Sequence, residues 1–235
     1  MRDNTILRNV YARESVFLAR VYAWMTAGLG LTAVLAWAFA QSEALMKYLV
    51  TNPIFFFGII VAELVSVIFL STRVERMSSG TAIGCFLLYS ALTGISFSTI
   101  VVAYAGTDII SKAFISAAAV FLGASVYGTF TKREIKRWGS ILFGAIFGII
   151  IASLLNFIFK STLLDFGISI AGVLLFTGLT AWDTNKIVRL NRAYGDSMTT
   201  EELTKISIMG ALDLYLDFIN IFLYLVKLFA RSRDN

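Results

Sequence analysis

Apolar residues in this chain come in long unbroken runs, neither alternating nor striped. Seven of the runs are long enough to cross ~30 Å of hydrocarbon as helices. They cover approximately residues 16–40, 48–71, 81–104, 113–130, 138–159, 163–183 and 206–229. Barrel strands would be far shorter and would alternate, so helices are the better account. The second run contains Asn52-Pro53, an N-cap followed by proline at the first helical position, and Pro53 is the only proline in the chain. The pattern predicts an all-α polytopic membrane protein, with residues 1–235 forming a single integral membrane domain of seven transmembrane helices. Gly144-Ala145 with Gly148, and Gly123 with Gly128, are expected to serve close helix packing.

The seventh run breaks the uniformity. Gly210, Asp213, Asp217, Asn220, Tyr224 and Lys227 recur at steps of three and four, so they share one helical face. A polar face on an otherwise apolar helix must meet protein or water. This helix is therefore expected at the centre of the bundle. The bland alternative is that the stripe only hydrogen-bonds to neighbouring helices. Two carboxylates one turn apart repel when both are ionised, which makes poor glue.

Composition agrees with the runs. Of 235 residues, 58% are hydrophobic and 15% charged, where about 25% charged is usual for soluble domains. The chain has no histidine, which excludes imidazole catalysis, histidine metal sites and histidine pH switches. Cys85, the single cysteine, lies in an apolar run and forms no internal disulfide. The net charge of +5 reflects topology rather than nucleic-acid binding. Fourteen Lys and Arg fall on one side, including Arg2, Arg8, Arg13, Arg20, Arg73, Arg76, Lys132, Arg133, Lys136 and Arg137. Six fall on the other: Lys47, Lys112, Lys160, Lys227, Arg231 and Arg233. The positive-inside rule puts the N-terminus in the cytoplasm and, with seven spans, the C-terminus outside. The basic tail dissents, and a half-inserted last helix would return it to the cytoplasm. Ala38-Phe39-Ala40 resembles a signal-peptidase site, but the preamble containing Glu14 and Arg20 is long for a cleaved signal.

Intramembrane acids are functional candidates because charge is costly there. Glu63 lies mid-way in the second run, Asp183 near the cytoplasmic end of the sixth, and Asp213 and Asp217 in the seventh. If the sixth helix continues past Asp183, Asp183 and Asp217 approach on an antiparallel pair. Such a pair shares one proton, and it is joined when protonated and pushed apart when both groups ionise. Oxygen-only ligands also suit hard cations such as Ca²⁺. Asp183, Asp213 and Asp217 are the candidate transient ligands.

The segments Phe176-Thr-Gly-Leu-Thr-Ala-Trp-Asp-Thr-Asn-Lys-Ile187 and Gly210-Ala-Leu-Asp-Leu-Tyr-Leu-Asp-Phe-Ile-Asn-Ile-Phe222 resemble the last two helices of the Bax-inhibitor (transmembrane Bax inhibitor motif) family. Tyr89-Ser-Ala-Leu-Thr-Gly94 and Thr131-Lys-Arg133 are similar to its bacterial members. The resemblance implies a seven-helix bundle around the last helix, acting as a pH-sensitive Ca²⁺ leak gated by an aspartate pair. Asp183 and Asp217 match that pair, and Glu63 and Arg73 resemble the acid and base of the second helix. Asp213 and Asn220 join Glu63 and Arg73 as candidates for the cation path or for pairing. Two departures stand out. Trp182 replaces the common tyrosine, and Asp213 replaces an uncharged residue, so the partner of Asp183 is open between Asp213 and Asp217.

The expected partners are the lipid bilayer, Ca²⁺ as carried ion and other membrane proteins, without nucleic acid and without a resident cofactor. The expected location is the bacterial inner membrane. No enzymatic activity is expected. An intramembrane aspartyl protease would carry Gly-x-Gly-Asp, whereas Gly210-Ala-Leu-Asp213 has leucine at the third position. A retinal protein could use Lys227, but the third run offers no acidic counter-ion. The principal alternative is a non-conducting scaffold that binds other membrane proteins.

Overall fold

The computed structural model describes residues 2–131, 138–194 and 197–234, with side chains over 16–131, 138–193 and 197–233. Lys132, Arg133, Lys136 and Arg137, and the side chains of Arg2, Arg8, Arg13 and Glu14, lie outside the described residues. The described chain is helical throughout, without strands: α1 (Arg2–Ala40), α2 (Glu43–Thr51), α3 (Pro53–Arg73), a single 3₁₀ turn (Val74–Arg76), α4 (Ser79–Ala103), α5 (Ile109–Phe130), α6 (Trp138–Phe159), α7 (Thr162–Tyr194) and α8 (Thr200–Asp234). All except α2 are long and apolar enough to cross a membrane, seven in total among the described residues.

Three expected boundaries shift, each for a physical reason. The run from residue 48 is two helices. Ser42 caps α2 by accepting from the Leu45 N–H at 3.4 Å, and α2 stops at Asn52 because the residue before proline disfavours helical geometry. Pro53 then opens α3, where its missing N–H is no loss. The sixth span continues to Tyr194, and the seventh starts at Thr200 and runs unbroken to Asp234. Their polar ends extend beyond the apolar windows. Thr199 and Glu202 form a reciprocal capping box: the Thr199 N–H donates to Glu202 Oε2 at 2.7 Å, and the Glu202 N–H to Thr199 Oγ1 at 3.3 Å. The Thr199 N–H, and then its hydroxyl, hold the Glu202 carboxyl below its usual range.

The chain forms two compact units, Met1–Gly106 with Leu190–Tyr215, and Thr107–Arg189 with Leu216–Asn235. In the first, α4 packs on α1 and α3. Gly94 permits this closeness, since a Cβ there would meet the Thr32 carbonyl oxygen at 2.8 Å. Thr32 Oγ1 donates to the Ser90 carbonyl at 2.8 Å and lies 2.7 Å from the Tyr215 hydroxyl. With the Thr32 proton so used, Tyr215 is the donor of that second bond. The Tyr215 ring meets Phe86 and Tyr89 edge-on, with centroids 5.9 and 5.7 Å away.

In the second unit, α5 and α7 touch backbone to backbone at Gly128, where a methyl group would collide with the Ala181 carbonyl oxygen. Phe218 of α8 sits edge-on to Phe114 and Phe121 of α5. Tyr224 lies over Gly172 and stacks on Phe176 of α7. Gly123, Gly144 and Gly148 contact nothing that a Cβ would disturb, so among the four glycines expected to mediate packing only Gly128 does so.

The apolar window of α8 is 67% buried, against 0–33% for the other six, which bears out its expected enclosure. Large side chains such as Phe57, Phe147 and Phe157 stand exposed. An apolar exterior of this extent has hydrocarbon, not water, as its solvent.

A candidate site at buried carboxylates of the last two helices

Two carboxylates lie inside the second unit. Asp183 of α7 is 7% exposed and Asp217 of α8 is 4% exposed. Leu179, Thr180 and Thr184 of α7 and Phe218 and Ile221 of α8 are buried on the same helices. The antiparallel register of the two helices is fixed near their other ends. Gly172 faces Tyr224, Asp165 Oδ1 lies 3.5 Å from Lys227 Nζ, and Arg231 donates to the Thr162 carbonyl. Carried along both helices, that register brings Asp217 level with Leu179, about one turn (~6 Å along the axis) from Asp183.

The same contacts place the end of α8 beside the start of α7, and Arg231 also covers the Phe166 ring at 5.0 Å. Asp108, before α5, is held below the usual carboxylate range, first by its bond to Lys112 at 2.6 Å and also by the Arg233 charge. The basic residues that dissent from the charge asymmetry therefore have acidic and aromatic neighbours.

The segment following Asp183 is locked in place. Asn185 Nδ2 donates to the Gly128 carbonyl at 2.9 Å and the Thr131 carbonyl at 3.3 Å, satisfying acceptors left over at the end of α5. Thr184 Oγ1 lies 3.4 Å from Ser125 Oγ. Trp182 meets Phe143 edge-on at 6.0 Å and rests over Gly139 of α6. Lys186 Nζ is 3.7 Å from Asp183 Oδ1 and 5.2 Å from the Trp182 ring centroid.

The other candidates fall elsewhere. Glu63 accepts a hydrogen bond from Ser96 Oγ of α4, in the first unit. Arg73 is exposed at the end of α3, and no Glu63–Arg73 ion pair exists among the described residues. Asp213 and Asn220 are half-buried, and Asn220 Nδ2 donates to the Leu216 carbonyl of its own helix at 2.8 Å. Among the described residues no three acids gather as a metal cage. Sequence reasoning missed Asn185, Lys186 and Ser96. Lys186 alone left a signal, its position three residues beyond an aspartate on a helix.

Comparison with known proteins converges on one family. The family described as "Inhibitor of apoptosis-promoting Bax1" matches residues 14–234. The chain is 45% identical over 217 residues to the Escherichia coli inner membrane protein YbhL, covering 92% of each. It is 40% identical over 222 residues to an uncharacterized Borreliella burgdorferi protein, covering 94% of each. An uncharacterized membrane protein of Streptococcus pyogenes is 34% identical over 238 residues, covering 99% of this chain and all of that one. With the seven spans, the buried aspartates and these likenesses together, the chain belongs to the Bax inhibitor family of integral membrane proteins.

Proposed function

We propose that the protein is a pH-sensitive Ca²⁺ leak of the bacterial inner membrane, with its N-terminus in the cytoplasm and a gate made by Asp183 and Asp217. The observation that carries this reading is the enclosure of two carboxylates on packed antiparallel helices, α7 and α8. Enclosed acids this close cannot easily both be charged, so they hold one proton between them at lower pH. As pH rises and that proton leaves, like charges repel at low dielectric and drive the helices apart. Ionised oxygens then face a passing divalent cation, which needs hard ligands. In this reading the protein passes Ca²⁺ down its gradient and catalyses no reaction. The name of the E. coli relative supports the membrane assignment, and the fourteen-to-six basic asymmetry supports the orientation.

Ca²⁺ flux into liposomes between pH 6 and 8 tests the gate. Asp183→Asn and Asp217→Asn should each abolish most of the pH dependence, and the double variant should add little. Asp213→Asn should shift the midpoint or conductance and leave the switch. A full pH response in Asp183→Asn, with loss in Asp213→Asn, would place the latch elsewhere. Absence of flux from the folded wild-type protein would favour the non-conducting scaffold.

A further inference from the structure

The reading above leaves Lys186 unused, although it stands closer to Asp183 than a purely surface lysine need stand. Its ammonium nitrogen is 3.7 Å from Asp183 Oδ1 and 5.2 Å from the centre of the Trp182 ring, so two consecutive residues of the preceding helical turn converge on it. Trp182 is itself immobilised. Phe143 meets it edge-on at 88°, and a Cβ on Gly139 would lie 2.8 Å from its six-membered ring. The ring therefore offers a fixed face, and tryptophan is the strongest aromatic partner for an ammonium. The carboxylate side chain is 10% exposed, whereas the lysine side chain is 52% exposed. One partner is anchored inside and the other reaches in from outside.

We propose that Lys186 is a tethered cation that occupies the Asp183 carboxylate in competition with the divalent cation the protein carries, and that Trp182 positions it there. This inference rests on the reading that Asp183 meets the carried ion. The chemistry favours exchange rather than permanent pairing. A separation of 3.7 Å is at the long end for an ion pair, and a half-exposed ammonium keeps much of its hydration. A doubly charged ion at the same distance is attracted twice as strongly as the lysine. It can displace the ammonium without any helix having to move. Lys186 thus sets how much Ca²⁺ is needed to load Asp183 and disfavours loading by monovalent ions, which hold no charge advantage over it.

The test is Ca²⁺ binding to the purified full-length protein by titration calorimetry, alongside the half-saturating Ca²⁺ concentration for liposome flux. Replacing the ammonium by a neutral amide in Lys186→Gln should tighten Ca²⁺ binding about threefold to fivefold, the effect expected of removing one half-exposed ion pair. Lys186→Glu should tighten it further, and Lys186→Arg should stay near wild type. Trp182→Leu frees the lysine and should move binding in the same direction as Lys186→Gln by a smaller factor. Trp182→Tyr, which keeps a ring face, should stay near wild type. Lys186 is half-exposed, so its variants keep the fold, and melting temperature verifies this. If the Arg, Gln and Glu variants bind Ca²⁺ equally while Asp183→Asn weakens binding tenfold, the inference is overturned and the gate reading stands. If Asp183→Asn leaves Ca²⁺ binding unchanged, the gate reading itself fails.

Discussion

The two compact units solve the burial of polar groups in opposite ways. In the first, the interior is bound by neutral hydroxyls: Thr32, Ser90 and Tyr215 form a chain of donors and acceptors, and even Glu63 is met by the Ser96 hydroxyl. In the second, the interior holds Asp183 and Asp217, flanked by Lys186 and by the amide of Asn185. A neutral network has one satisfied state and stiffens the helices it joins. Ionisable groups in the same surroundings have two states whose energies change with proton and cation supply. The contrast separates a unit whose interior polar groups are neutral from one whose interior holds acids.

Four predictions sharpen that contrast. The largest effect belongs to Gly128→Ala, because the obstructing atom is the rigid Ala181 carbonyl oxygen. It should cost about 3 kcal/mol and remove pH-dependent flux, whereas Gly123→Ala, facing open space, should leave both intact. Thermal melting in detergent and liposome flux report the two quantities. Next, Tyr215→Phe removes the donor to Thr32 while leaving Thr32 bonded to Ser90. A loss of about 1 kcal/mol with an unchanged pH midpoint is expected, and a shifted midpoint would show that the neutral network takes part in switching.

A smaller effect is expected from Glu63→Gln, since the amide oxygen can still accept from Ser96. Folding, flux and pH response should stay near wild type, and loss of flux would give the Glu63 charge a role in the cation path. The smallest belongs to Glu202→Gln in the capping box. Because the Thr199 N–H holds the folded carboxyl below its usual range, the stability it adds is present at neutral pH. That stability disappears as pH falls through the folded value. The variant should therefore melt slightly below wild type at neutral pH and match it once the pH lies below the folded value.

Much of the architecture was legible because a bilayer forces apolar residues into runs of a readable length. What those runs could not show is where a helix ends in water. The polar stretches after Asp183 and before Ile206 are helical but invisible to hydropathy, so α7 and α8 looked shorter than they are. The break at Asn52 was signalled by Pro53, yet the capping role of Ser42 was passed over. Among glycines the sequence supplies small residues without saying which face protein, and only Gly128 of the four highlighted does. The acids of the candidate site were legible from their cost in hydrocarbon. The Thr32–Tyr215 bond, spanning 183 positions, and the capping of α5 by Asn185 were not, because such pairings exist only once the helices have packed.

The helices differ in how much length they have to spare. α5 and α6 have 22 residues each, roughly 33 Å, which leaves almost nothing beyond the hydrocarbon layer. α7 and α8 have 33 and 35 residues, roughly 50 Å each, and can slide or tilt while keeping an apolar stretch in the core. A bilayer thicker by a few ångströms would strand the ends of α6, whose apolar window holds no buried residue, before it troubled the α7–α8 hairpin. Helices with so little length to spare thus limit the membrane thickness that suits the protein. Acyl-chain length becomes an experimental control that acts on the frame around the aspartates without touching their chemistry.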